Sequence, residues 1–133
     1  MLDTMFHATS NDMDVHYFAE KYNLSEYEYW VEGKKDVFGR VRSNSGFKFL
    51  ISDNEEVSEH FNDLKEFLIV AKKLTTELKE KNINMCFNIG MTFNVSKFYS
   101  KNFTFDNDVL KAIANSGIEL EISTYIETDE ETE

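Results

Sequence analysis

A chain of 133 residues, 41% hydrophobic and 14% aromatic with 12 phenylalanines, can bury about two-thirds of its unfolded surface in one domain without disulfide or metal support. Its single cysteine, Cys86, excludes an internal disulfide and suits a reducing cytoplasm. No run approaches the ~20 apolar residues of a bilayer span, MLDTMFHATS has no leader pattern so no signal peptide is expected, and a net charge of −11 repels phosphate backbones.

The elements follow from periodicity. Leu2, Thr4, Phe6 and Ala8 alternate with Asp3, Met5, His7 and Thr9, which predicts a first strand. Ser10, Asn11 and Asp12 offer N-caps for a helix with Val15, Phe18, Ala19 and Tyr22 on one face, stopped at Asn23. A second strand places Tyr27, Tyr29 and Val31 opposite Glu28, Trp30 and Glu32, and Gly33 to Gly46, polar and basic, reads as a long connection or an irregular hairpin. Phe47, Phe49 and Ile51 share one face of a third strand.

Ser52 with Glu55, or Asp53 with Glu56, has capping-box spacing for the major helix. Its apolar stripe runs from Val57 through Phe61, Leu64, Leu68 and Leu74 to Leu78, leaving Ile69 on the far side, and Asn82 is placed to end it in the left-handed conformation. From Ile83 to Val95 every odd position is apolar, so the segment predicts a long strand buried on one face, with a bulge or bend at Gly90. An aromatic loop, 96–105, carries Phe98, Tyr99, Phe103 and Phe105. Asp106 then caps a short helix with Phe105 and Leu110 at staple spacing and Gly117 at its stop. Leu120, Ile122, Thr124 and Ile126 are expected inward on a last strand, and 128–133 forms an acidic tail expected to be disordered.

The order β-α-β-β-α-β-α-β predicts one α+β domain over 1–127. It is a two-layer sandwich with a ferredoxin-like (split β-α-β) core, an added α-β unit, and an antiparallel or mixed sheet with helices on one face. Trp30 with Gly33, the Gly46-Phe47 strand, the long helix and the ending VLKAIANSGIELEISTYIE resemble the domain-of-unknown-function 4279 family over nearly the whole chain. The chain departs from that family's pattern at Lys34, where an acid is usual, and at Phe47, where tryptophan is frequent. The resemblance implies the fold and a bacterial or phage origin, and it carries over no catalytic residues.

No motif assigns chemistry. His7, His16 and His60 lack zinc-ligand spacing, Cys86 has no local base, and no cofactor fingerprint occurs. His60, at the edge of the apolar stripe, is expected to be a partly buried, hydrogen-bonded core residue. Charge is the stronger signal: residues 33–50 carry +4, whereas 1–32 carry −6 and 106–133 carry −8. Glu28, Trp30, Glu32, Glu119, Glu121 and Tyr125 therefore form the expected contact surface for a basic protein partner. Whether Trp30 is exposed there or packs under the basic loop stays open. The expected role is that of a non-enzymatic, cytoplasmic, immunity-protein-like inhibitor, monomeric or homodimeric, with no nucleic-acid or membrane contact. Two alternatives remain, an anionic-ligand module using Lys34, Arg40 and Arg42, or a small enzyme.

Overall fold

The computed structural model describes residues 1–97 and 102–127. Among them are β1 (Leu2–Ser10), α1 (His16–Lys21), β2 (Tyr27–Trp30), β3 (Ser45–Ser52), α2 (Val57–Val70), α3 (Lys72–Glu80), β4 (Asn84–Asn94), α4 (Asn107–Asn115) and β5 (Glu119–Glu127). The strands form one open, mixed sheet in the order β2-β3-β1-β4-β5. Only β4 and β5 run parallel; the other neighbours are antiparallel. The expected tail at 128–133, and Phe98 and Tyr99 of the aromatic loop, lie outside the described residues.

The helices cover the sheet face that carries the apolar half of each alternation. Leu2, Phe6 and Ala8 of β1 and Met85, Phe87 and Ile89 of β4 are buried against Phe61, Leu64 and Leu68 of α2, Leu74 and Leu78 of α3, and Val109 and Ile113 of α4. Phe6 sits at the centre, with the rings of Phe67, Phe49, Phe87 and Phe47 at 5.3, 5.4, 6.0 and 6.2 Å. Offset and tilted ring pairs of this kind add to the burial term.

Several local expectations need correction. The irregularity expected at Gly90 falls in β3 instead: Thr4 pairs with Ser52 and Met5 with Leu50, which leaves Ile51 extra. Gly90 keeps a regular register with Asp3 and Ser123. A bulge re-aims the residue after it, and here it turns Ser52 toward the helices. Ser52 Oγ donates to Asp63 Oδ2 at 2.6 Å and lies 3.2 Å from His60 Nδ1, which is also 2.9 Å from the Asn54 carbonyl. His60 Nε2 is 2.6 Å from Thr4 Oγ1. His60 is fully buried, beyond the partial burial expected of it, and both ring nitrogens have partners, as burial of a polar ring requires. Ser52 is therefore a core bridge, and the cap of α2 is Glu56, whose carboxylate accepts from the N–H groups of Ser58 and Glu59.

The long helix divides at Ala71 (φ −94, ψ 17), directly after the β-branched pair Ile69–Val70, residues that weaken helix continuity. The first helix starts at His16, later than the Ser10–Asp12 caps imply, because Ser10 Oγ accepts from Asp12 and Met13 in a separate turn. Asn23, Asn82 and Gly117 take positive φ at helix ends, Asp106 caps α4, and Ile69 faces outward, all as expected. Leu110 is exposed, while Phe105 stacks on Phe61 at 4.9 Å. On β5, Leu120, Ile122 and Ile126 are exposed although expected inward. The strand is the sheet's edge, and an edge strand alternates in sequence like a half-buried one.

Candidate functional site: the helix-free sheet face

The polar half of each alternation meets on the uncovered face, and the strand registers set these side chains in rows. One row crosses all five strands: Glu28, Lys48, His7, Cys86 and Glu119. The next holds Leu50, Met5, Asn88 and Glu121, and beyond it Asp3, Gly90 and Ser123 stand abreast. Lys48 Nζ lies 3.5 Å from Glu28 Oε2. Asn88 Nδ2 donates to the Glu121 carboxylate and, at 3.0 Å, to Ser123 Oγ. Gly90 makes room for Asp3, because a Cβ there would lie 2.6 Å from Asp3 Oδ1.

Two shallow depressions result. One of about 580 Å³ is lined by Asp3, His7, Lys48, Asn88, Glu121 and Tyr125, among others. The other, about 350 Å³, lies among His7, Thr9, Asn84, Cys86, Glu119 and Glu121. Burial first, then the charge of Lys48, holds His7 below its ordinary range against an opposing pull from Glu121. Burial, then Glu121 and Glu119, pushes the Cys86 thiol up. A raised thiol beside a lowered imidazole is the reverse of an activated thiolate–imidazolium pair. Among the described residues, no group of three or more His, Cys, Asp or Glu side chains is placed to hold a metal ion. No helix among them is long and apolar enough to cross a membrane.

The sequence-derived contact residues divide between the two edges of this face. Glu28 and Trp30 belong to β2, and Glu119, Glu121 and Tyr125 to β5, about 19 Å away across four strand spacings. Glu32 lies just past β2 and is exposed, its N–H donating to Ser45 Oγ at 3.3 Å. Trp30 is half-buried under the basic loop: its ring covers Gly46, its Nε1–H donates to Asn44 Oδ1 at 2.8 Å, and the Arg42 guanidinium lies 5.3 Å from its centroid. The cationic set is dispersed. Arg40 Nε bonds Asp36 Oδ2 at 3.0 Å and Arg42 is on the indole, both lining a hollow of about 460 Å³ that Lys34, exposed in the hairpin ladder, does not line.

The residues that composition did not single out are Asp3 and Asn88, while Lys48 read as a cation of the basic stretch 33–50 and not as a member of this face. Alternation alone placed Asp3 and His7 outward, but their neighbours follow from register, which no local pattern encodes.

Neither a curated relative nor a solved structure matches the chain. A sequence-family match, Domain of unknown function (DUF4279), spans residues 2–127, and the chain belongs to that family.

Proposed function

We propose that this is a non-enzymatic, cytoplasmic binding protein whose helix-free sheet face seats a basic segment of a partner protein and neutralises that partner by steric occlusion, as an immunity protein does. The carrying observation is the charge of that face. Asp3, Glu28, Glu119, Glu121 and Glu127 share it, while Lys48, its one lysine among the described residues, stands against Glu28. Aligned acids raise the association rate of a cationic partner and lose that effect with salt. The raised thiol of Cys86 supports the non-enzymatic reading.

The same proposal reads the first four strands as a ferredoxin-like core. The order β2-β3-β1-β4, antiparallel throughout, and the helices in the β1–β2 and β3–β4 connections support this, with α4–β5 as the added unit.

The test is nuclear magnetic resonance titration of the full chain with a lysine-rich peptide, followed by charge reversal against a captured partner. Shifts should gather on β5 and the outward positions of β4 and fade with added salt. Reversing Glu28, Glu32, Glu119 and Glu121 to lysine should weaken partner binding by about tenfold or more. Shifts on the helical face, or affinity untouched by the reversal, would remove the proposal.

A further inference from the structure

The hairpin between β2 and β3 ends in the most exposed large apolar side chains among the described residues, Val37 at 93% and Phe38 at 79%, with Val41 at 63% behind them. The turn that displays them is tightly built. Asp36 Oδ1 accepts from the N–H groups of Phe38 and Arg40 at 2.8 and 2.9 Å, and Asp36 Oδ2 receives Arg40 Nε at 3.0 Å. Gly39 supplies the left-handed residue at φ 79, and Lys35 bridges Val41 across the hairpin. Such a turn holds its apex outward when nothing covers it.

Below the apex lies a basic collar. Lys34, Lys35, Arg40 and Arg42 lie on the hairpin's two arms, the Arg40 guanidinium 5.2 Å from the Phe38 centroid and the Arg42 guanidinium 5.3 Å from the Trp30 centroid. The one acid of the segment, Asp36, pairs with Arg40, which leaves Gly33–Arg42 at net +3, and the turn N–H groups hold its carboxyl below the usual range. An apolar tip flanked by cations matches a surface that is greasy just beneath a layer of negative charge.

We propose that the hairpin Gly33–Arg42 docks the protein on anionic phospholipid membranes, with Val37 and Phe38 entering the headgroup–acyl boundary and the collar meeting the lipid phosphates and carboxylates. This is peripheral contact without a spanning segment, and it departs from the expectation of no membrane contact. A ten-residue projection presents far fewer than the 20–30 residues per side of a standard protein interface, whereas a bilayer asks only that the tip insert. Glu32 borders the hairpin while the other acids of the sheet face stand on the strands, and screening over ~8 Å at physiological salt lets the collar act locally. The segment is also the most cationic stretch of a chain whose net charge is −11, so an anionic bilayer would orient the molecule tip first.

The experiment is co-sedimentation of the full chain with phosphatidylcholine vesicles, with and without about 30% phosphatidylserine. Partition into the anionic vesicles should exceed that into neutral ones by about tenfold or more, and a Val37→Ser/Phe38→Ser variant should lose about tenfold. Both side chains are solvent-exposed, so circular dichroism of that variant should match the parent. A Phe38→Trp variant should shift its emission to the blue on anionic vesicles. Absence of binding to anionic vesicles, or binding that the double serine variant retains in full, overturns the proposal. Retention on immobilised polyglutamate without any vesicle binding would assign the collar to an acidic protein and overturn it equally.

Discussion

Replacing Gly46 by alanine sets the Trp30 indole against the sheet. A Cβ at Gly46 would lie 2.6 Å from Trp30 Cε2, closer still to Cζ2, and 2.9 Å from the Ala8 carbonyl oxygen. The ring can swing away, but the carbonyl belongs to β1, which is paired on both sides. Overpacking against a fixed backbone costs about 1–3 kcal/mol. Moving the ring also breaks its hydrogen bond to Asn44 and its contact with Arg42, adding about 1 kcal/mol. The sum, about 2–4 kcal/mol, lowers a urea midpoint by roughly 1–2 M for a slope near 2 kcal/mol/M. Trp30 is the only tryptophan, so its emission reports the displacement directly, with a red shift of the native baseline. Adding Trp30→Ala relieves the ring clash, and a double-mutant cycle should show coupling of about 1 kcal/mol or more. A Gly46→Ala protein with an unchanged midpoint and unchanged emission would refute the packing of the indole on this glycine.

His60→Ala should cost about 3–5 kcal/mol in urea unfolding, because it opens a cavity and takes the ring partner from the Thr4 hydroxyl and the Asn54 carbonyl, while His60→Gln should recover part of that loss. Ile89→Ser, at 1% exposure, should destabilise by about 3 kcal/mol or more, whereas Ile122→Ser, its register partner at 47%, should stay within about 0.5 kcal/mol; equal losses would place β5 under a covering layer. Glu121→Gln should lower two titrations together, because Glu121 raises both His7 and Cys86. Proton resonance should show the His7 midpoint falling further, and Cys86 should alkylate faster at mildly alkaline pH. The depressed His7 makes stability present above its unfolded value and lost as pH falls below it, so Glu121→Gln should deepen that acid-side loss.

What was legible in the chain was whatever a local period decides. The odd-numbered apolar residues of Ile83–Ile89 face the helices because side chains on a strand alternate, and that holds whatever the partner strand is. Helix ends were legible where one residue carries the signal, at Asn82, Asp106 and Gly117. Ser52 was not, because its capping-box spacing is genuine, yet a bulge one residue earlier turns it into the core toward His60 and Asp63. The exposed apolar face of β5 was hidden for a similar reason: periodicity says which side a residue faces and says nothing of whether a layer lies over it.

The candidate site depended most on information that no window holds. In the sequence Glu28 and Glu119 are only two members of an expected acidic surface; register puts them at the ends of one row with Lys48, His7 and Cys86 between them. That order changes the physics of the face. Lys48 stands against Glu28, leaving the uncompensated acids at the β4–β5 side around Asn88, so a cation approaching the sheet meets a gradient directed toward β5. At the β2 side, Trp30 is held by Gly46, Asn44 and Arg42 and cannot move without disturbing the hairpin. A partner that engages both ends must therefore lie across all five strands, which favours an extended basic surface over a compact ligand seated in one depression.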